Sequence, residues 1–303
     1  MLRLTHGLQL KRGVNVMSTL KSFTKVLVLY WFILIPSYSS ATAIASIEPK
    51  VLTFGVVPQQ AASVLAKVWA PVLAELSQNA NVELQFATAR DIPTFEQRLA
   101  QGEYDIAYMN PYHFTVFHES PGYLALAKEQ DKYLRGLIVV RKESPISALT
   151  ELDGKSFAFP APAAFAASVI PRAILKQQGV VHSTKYVGSH DSVYLAVAQG
   201  LVDAGGGVGR TFKNMDTDVT KQLKVLWRTP GYTPHAIATH PRVSQELREV
   251  LLTQLQALSS TSKGRALLDG LGFKAMEAAQ SSDWDDVRAL SLSELDEPLK
   301  ESN

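Results

Sequence analysis

The sequence contains no cysteine among its 303 residues. A chain without cysteine has no disulfide bond, no thiolate metal site and no cysteine nucleophile. It also lacks the N-terminal cysteine that would carry a lipid anchor. Hydrophobic residues nevertheless make up 46% of the chain, which is enough to bury a sizeable core and to build about two domains.

Acidic residues are missing from one part of the chain, residues 1–43, which carries five basic residues. The formal net charge of +2 therefore misleads, because the remaining chain has 25 basic against 28 acidic residues, a net charge of −3. A weakly acidic body predicts neither a nucleic-acid partner nor a basic membrane-binding patch.

The apolar run near the N-terminus is short. Val26–Ile35 has about ten residues, whereas a membrane-spanning helix needs about 20. Two lysines precede the run, and Ala41-Thr-Ala43 after it fits a cleavage pattern, so residues 1–43 are predicted to be a signal peptide. Met17 is a better candidate than Met1 for the first residue of the translated chain. An uncleaved membrane anchor is the alternative to a signal peptide. Cleavage of a signal peptide predicts an exported, periplasmic protein.

Catalytic motifs are also missing. His118-Glu119 is followed by Ser-Pro-Gly rather than completing HExxH, and Gly154-Lys-Ser156 lacks the upstream glycine of a phosphate-binding loop. Gly205–Arg210 fails the dinucleotide pattern because arginine takes its last position, and no G-x-S-x-G occurs. We therefore expect no enzyme activity, no metal and no cofactor.

The sequence does contain a regular alternation of strands and helices. Val51–Val57, Val82–Ala87 and Tyr104–Met109 read as buried strands, separated by helical patterns over Ala61–Leu76 and Pro93–Leu99. This β-α-β-α order predicts an α/β fold with a mostly parallel sheet and helices on both faces.

A second unit repeats the rhythm. Its strands are predicted at 156–159, 185–187, 202–204 and 224–227, and the chain is expected to cross between the units at 141–145 and 229–234. Two crossings imply two lobes on a hinge. The prediction is lobe 1 over 44–140 plus 229–290, lobe 2 over 141–228, and a disordered tail at 291–303.

Ligands of open α/β sheets bind beyond the carboxyl ends of the strands, where helix starts present free N–H groups that hold anions. Four such strand-to-helix turns are therefore candidate binding loops. Their candidate ligand-binding residues are Gln59 and Gln60 in the first; Tyr108, Asn110, Tyr112 and His113 in the second; Ala163, Ala164 and Phe165 in the third; and His190, Asp191 and Ser192 in the fourth.

Roles follow from residue type. Asn110 suits a helix N-cap, and His190 could donate a hydrogen bond to an anion. Gly206, within a glycine run, would bring the backbone close to a ligand, and Arg210 would clamp a carboxylate or phosphate. Asp191 would either accept a ligand N–H or act as a plain helix cap. An ordinary surface role for Arg210 stays open.

Four segments together resemble the phosphate/phosphite/phosphonate-binding proteins of ABC importers, over about residues 52–290. They are Phe54-Gly-Val-Val-Pro58, Gly102-Glu-Tyr-Asp-Ile-Ala-Tyr-Met-Asn-Pro111, Gly188-Ser-His190 and Gly200-Leu-Val-Asp-Ala204. The resemblance implies a two-lobed type II periplasmic-binding fold closing over an oxyanion. By position it implies that His190 contacts the anion and that Asp203 lies beside the cleft, where it could pair with an amine.

The chain departs from that pattern at two positions. Asn110 stands where the family usually has glycine, and Ala163-Ala-Phe165 replaces a hydroxyl-rich loop. Each lost charge-assisted hydrogen bond is worth about 1.5–3 kcal/mol, so we expect a ligand less charged or more apolar than simple phosphate. The expected partners are a small oxyanion or phosphonate-like ligand and the membrane permease of an ABC importer. A sensor kinase is the alternative partner, and we expect a monomer.

Overall fold

The computed structural model describes residues 50–292. The predicted signal peptide, and all but the first two residues of the predicted tail, lie outside this range. Within it, no helix is both long and apolar enough to cross a membrane. The strands, in chain order, are Lys50–Val56 (β1), Val82–Ala87 (β2), Ile106–Met109 (β3), Leu124–Glu129 (β4), Gly136–Arg141 (β5), Ser156–Phe159 (β6), Ser183–Tyr186 (β7), Ala204–Val208 (β8), Leu223–Arg228 (β9), Ala236–Thr239 (β10) and Met276–Ala278 (β11).

The helices lie mostly between successive strands. They are Ala62–Ala80 (α1), Ile92–Ala100 (α2), Pro111–Glu119 (α3), Ile170–Gln177 (α4), His190–Ala198 (α5), Gly209–Asn214 (α6), Thr217–Thr220 (α7), Gln245–Ala257 (α8), Ser262–Leu271 (α9) and Asp285–Arg288 (α10). Proline within a helix usually kinks or breaks it, but α1 runs unbroken past Pro71. A π-helical turn, Phe165–Val169, leads directly into α4.

Two mixed sheets carry the architecture. The first has the order β11-β4-β10-β3-β1-β2, and the second has the order β7-β6-β8-β5-β9. We call the part built on the first sheet lobe one and the part built on the second sheet lobe two. In lobe one, β1 pairs in parallel with β2 and β3, and β10 is antiparallel to β3. In lobe two, β6 is parallel to β7 and β8, and β5 is antiparallel to β8.

The strand β5 lies in lobe two, which corrects one prediction. The sequence pattern placed residues up to 140 in lobe 1 and the first crossing at 141–145, but β5 pairs with β8 and β9. Its apolar run is buried on both faces, with Leu137 and Val139 in one core and Ile138 and Val140 in the other. A run that must be covered on both sides belongs in the middle of a sheet. The chain therefore crosses before Gly136.

The two connecting segments touch each other. Leu134 and Tyr232 form an antiparallel bridge, with Leu134 N–H donating to Tyr232 at 2.7 Å and Tyr232 N–H donating back at 3.0 Å. Thr229 hydrogen-bonds to the N–H of Gly136 through its hydroxyl at 2.9 Å. Paired connections of this kind allow two lobes to rotate about a common hinge.

Candidate functional site between the two lobes

The carboxyl ends of strands from both sheets meet in one narrow gap. Gln59 follows β1, Asn110 follows β3, and Phe165 and His190 lie on the loops after β6 and β7. Together with His235 these residues line a space of about 10 Å³, which we call the inner gap. A single water molecule needs about that much room. The four loops that the sequence singled out thus converge, as the strand-end rule requires.

Direct bonds join the lobes across the inner gap. The Asn110 amide donates to the carbonyl of Ala163 at 3.2 Å, and the backbone N–H of His190 donates to the carbonyl of Gln59 at 3.1 Å. At the edge, the amide nitrogen of Gln60 lies 3.4 Å from a carboxylate oxygen of Asp191. The lobes are therefore in contact in this structure, with polar groups of one satisfying those of the other.

The histidines of the inner gap are neutral. Burial lowers the pKa of His190 to about 3, and burial together with the nearby Arg210 lowers the pKa of His235 well below its usual value. Both rings have uncharged partners: His190 Nδ1 lies 3.2 Å from the Thr211 hydroxyl, and His235 Nε2 lies 3.0 Å from the Gln59 amide. An anion placed here would be held by neutral dipoles rather than by histidine cations.

The third loop offers backbone groups rather than side-chain hydroxyls. Ser168 N–H donates to the carbonyl of Ala164 at 2.6 Å, so Phe165, Ala166 and Ala167 precede the first bond of the helix. Their N–H groups have no acceptor within the helix, which is the general property of helix starts. All three residues line the inner gap. Ala163 contributes a carbonyl acceptor instead of an N–H donor.

A larger space opens beside the inner gap. This outer cavity has a volume of about 530 Å³ and shares four lining residues with the inner gap, so the two spaces are adjacent. The shared residues are Gln59, Leu134, Val208 and His235. Five basic side chains line the outer cavity against two acidic ones: Lys132, Arg135, Arg210, Lys213 and Arg228 against Glu129 and Asp269.

Arg210 is a lobe-to-lobe contact within the outer cavity. It comes from α6 of lobe two, donates to the Tyr108 hydroxyl at 2.7 Å and forms a short ion pair with Glu129 of lobe one. Its guanidinium also lies 4.4 Å from the ring centre of Phe273. Burial opposes the charge, but Tyr108 and Glu129 raise the pKa of Arg210 on balance, so it remains a cation.

Several predicted site residues line neither space, among them Tyr112, His113 and Ser192. Tyr112 lines a separate cavity with Glu119 and Arg288, because helical rotation turns it away from the strand end. His113 is fully buried behind the loop, with Nε2 2.9 Å from Glu96. The N–H of Ser192 is capped by the Ser189 hydroxyl at 3.1 Å, so it belongs to the local structure of the helix start.

The predictions for Asp203 and Gly206 were wrong. Asp203 precedes β8 and lies at the opposite end of that strand from the cleft, where it accepts bonds from Ser156. Gly206 lies within the strand, where a Cβ atom would collide with the carbonyl of Ala167 and approach the Phe159 ring to 2.6 Å. The missing side chain therefore makes room for protein packing and not for a ligand.

The strand-end rule missed His235. This residue precedes β10, a reversed strand whose first residue, Ala236, is opposite Met109 at the end of β3. The amino end of β10 therefore lies at the carboxyl edge of its neighbours, and His235 stacks on Tyr108 with ring centres 4.9 Å apart. The antiparallel pairing could not be read from the sequence. Across residues 50–292, no three histidine or carboxylate side chains cluster as metal ligands.

These features define a class: a two-lobed solute-binding protein with its cleft at the strand ends of two α/β sheets. Residues 54–284 match the family model described as "ABC transporter, phosphonate, periplasmic substrate-binding protein". The chain belongs to this family.

Named relatives agree with the family and with the fold. The chain is 23% identical over 227 residues to the phosphate-import protein PhnD of Mycolicibacterium smegmatis, covering 68% of this chain and 71% of that one. It is 22% identical over 260 residues to the phosphonates-binding periplasmic protein of Escherichia coli, covering 81% and 77%. A solved structure of PhnD1 from Prochlorococcus marinus in complex with methylphosphonate superposes with a TM-score of 0.73 at 21% identity, covering 80% and 97%.

The fold prediction is therefore confirmed: two mixed sheets flanked by helices, as in type II periplasmic-binding proteins. The predicted role in ABC transport is confirmed by the family match. The sensor-kinase alternative finds no support among these relatives.

Proposed function

We propose that this protein captures a small oxyanion or phosphonate-like ligand in the inner gap and delivers it to the permease of an ABC importer. The single observation that carries the proposal is the convergence of strand-end loops from both sheets on one gap. Gln59, Asn110 and His190 are already paired across that gap by direct bonds. A group that faces a polar partner on the other lobe is equally placed to face a polar ligand.

The ligand takes the place of the direct lobe-to-lobe bonds. When the lobes separate, the amide of Asn110 and the N–H of His190 lose their acceptors, Ala163 and Gln59, and become available. With the N–H groups of Phe165, Ala166 and Ala167 they form a set of neutral donors. Charge-assisted bonds from such donors to an oxyanion are about twice as strong as neutral ones. Closure over the anion then restores a fully paired interface.

Phosphonate-like chemistry is favoured by the family and by this donor set. The family description names phosphonate, and one superposing structure holds methylphosphonate. In this chain the third loop supplies backbone donors in place of hydroxyls, and Phe165 and Ala164 add apolar surface. A phosphonate carries a carbon substituent that such a surface can cover. In this proposal the protein binds its ligand and releases it chemically unchanged. It works as a monomer and is exported after removal of residues 1–43.

The test is ligand-induced thermal stabilisation of residues 44–303, with phosphate, phosphite and methylphosphonate as probes. A ligand at 100 times its Kd stabilises the folded state by about 2.7 kcal/mol, which a melting experiment detects readily. The double variant Asn110→Ala with His190→Pro removes the side-chain amide of one loop and the backbone N–H at the first helical position of the other, so it should lose this shift. Phosphorus NMR of the released compound should show it chemically unchanged.

Tyr112→Phe is the matched control, since Tyr112 lies in the first turn of the same helix as Asn110 but lines a different cavity. It should keep the full ligand shift. The proposal fails if none of the three anions stabilises the protein, or if the double variant responds as strongly as the unaltered chain.

A further inference from the structure

We infer that the outer cavity is a second subsite, which binds a distal anionic group of an extended phosphonate or phosphate ester. The inference rests on the proposed function, because it assigns the head group of the ligand to the inner gap. It narrows the substrate class from small oxyanions to molecules with two anionic ends.

Size separates the two spaces. The inner gap has about 10 Å³ and the outer cavity about 530 Å³. Sites for small organic ligands range from about 300 to 1,000 Å³, so the outer cavity alone is of ligand size even with the lobes in contact. Four lining residues are common to both spaces, so the remainder of a ligand held by its head group in the inner gap would extend towards the outer cavity.

Charge indicates what that remainder carries. Glu129, one of the two acidic residues in the wall, forms an ion pair with Arg210 and lies 3.8 Å from Lys132. In the described part of the chain, Lys213 and Arg228 form no ion pair. Both are exposed to the cavity and come from lobe two, at the end of α6 and the end of β9. Even with the exposed carboxylate of Asp269 in the wall, these two unpaired cations leave the cavity with an excess of positive charge, which favours an anionic occupant.

The wall also offers groups suited to an organic linker. Tyr133, which is 65% exposed, and Leu134 come from the connecting segment, and Tyr108 stacks on His235, which lines both spaces. At Gly209 an added Cβ atom would have only the Arg228 guanidinium within 4 Å, at 3.8 Å, so little protein packs against the backbone there. The apolar part of the wall can cover the carbon chain of a ligand whose charged end meets the two cations.

The test compares two series of ligands by isothermal titration calorimetry. One series is ω-carboxyalkylphosphonates with two to five methylenes, and the other is alkylphosphonates of the same lengths. At the length that spans the two spaces, the terminal carboxylate should increase affinity about tenfold. The double variant Lys213→Met with Arg228→Met should abolish that gain and leave the affinity for methylphosphonate unchanged.

The control variant is Lys176→Met with Lys185→Met. It also removes two positive charges, but from exposed positions of lobe two that lie outside the cavity. It should retain the tenfold gain. If methylphosphonate does not bind the unaltered protein, the proposed function itself fails. If methylphosphonate binds but the two series are equal at every length, the second subsite is refuted. An equal loss of affinity for methylphosphonate and for both series in the cavity variant would mean a general electrostatic attraction of anions and would also refute the subsite.

Discussion

The carboxylate of Asp203 accepts hydrogen bonds from both the backbone N–H and the hydroxyl of Ser156, at 2.9 and 2.8 Å. Lobe one repeats this arrangement, since Asp105 accepts from the N–H and hydroxyl of Thr53 at 2.8 and 2.9 Å. Each aspartate is the last residue of a Gly-x-x-Asp segment and ties the beginning of its strand to a parallel strand of the same sheet. The repeated motif is therefore structural, and it lies at the end of each sheet opposite the cleft.

Replacing Asp203 should destabilise the fold without affecting binding. Asp203→Ala removes the acceptor of two partly buried donors, which costs about 1–3 kcal/mol in the free energy of unfolding. Urea unfolding measures this loss, and calorimetry with methylphosphonate should give an unchanged affinity. Asp218→Ala, at an exposed surface aspartate, should change stability by less than about 0.5 kcal/mol. Loss of binding at unaltered stability would return Asp203 to the cleft.

Stability should fall with acidification through the buried, neutral His190. Its pKa is about 3 in the folded protein and about 6.5 when exposed, because burial disfavours the charged ring. The unfolded chain therefore binds the extra proton first as the pH falls. The stabilisation is complete above pH 6.5 and is lost progressively towards pH 3, at up to about 1.4 kcal/mol per pH unit.

The readout is the slope of unfolding free energy against pH between 6 and 4. His190→Gln should reduce that slope by about 1 kcal/mol per pH unit, whatever its effect on stability at pH 7.5. An identical slope in the variant would mean that His190 is accessible to protons in the folded protein.

Gly206 should tolerate no side chain. In Gly206→Ala the new Cβ meets the carbonyl of Ala167 and the Phe159 ring, and such overpacking costs about 1–3 kcal/mol or more. Because Ala167 belongs to the turn that supplies the donors of the inner gap, phosphonate affinity should fall as well. Gly270→Ala is the matched control: nothing lies within 4 Å of its Cβ, and within helix α9 alanine should stabilise by about 0.5–1 kcal/mol. Equal melting temperatures for the two variants would contradict the packing argument.

Arg210 should hold the lobes together. Arg210→Gln leaves the buried carboxylate of Glu129 with only Lys132 at 3.8 Å, and breaking a buried ion pair costs about 3–5 kcal/mol if the site cannot relax. Separation of the lobes relieves that cost because it returns Glu129 to water. A difference of 1.4 kcal/mol is enough to raise the ratio of separated to contacting lobes tenfold. Small-angle scattering of the unliganded variant should therefore give a larger radius of gyration.

Arg228→Gln is the control, because it breaks no ion pair and should leave the radius of gyration unchanged. A similar radius for both variants would argue against a role of the Arg210–Glu129 ion pair in holding the lobes together.

Much of the fold could be predicted because local pattern and global architecture agree. Buried apolar runs alternate with amphipathic segments, and this rhythm predicts two α/β units. The boundary failed at β5, since a strand pattern does not reveal which sheet it joins. Leu137–Val140 reads the same in either lobe, and only pairing with β8 and β9 decides the matter.

The candidate site divides in the same way. The amino-acid sequence by itself determined the strand-end loops around Gln59, Asn110 and His190, because a turn after a buried strand must come out at the edge of the sheet. Tertiary structure alone decided the rest. It brought His235 in on a reversed strand, sent Asp203 to the far end of its own strand, and placed Arg210 of one lobe against Glu129 of the other. Those outcomes depend on strand direction and on contacts between distant segments, which no local pattern encodes.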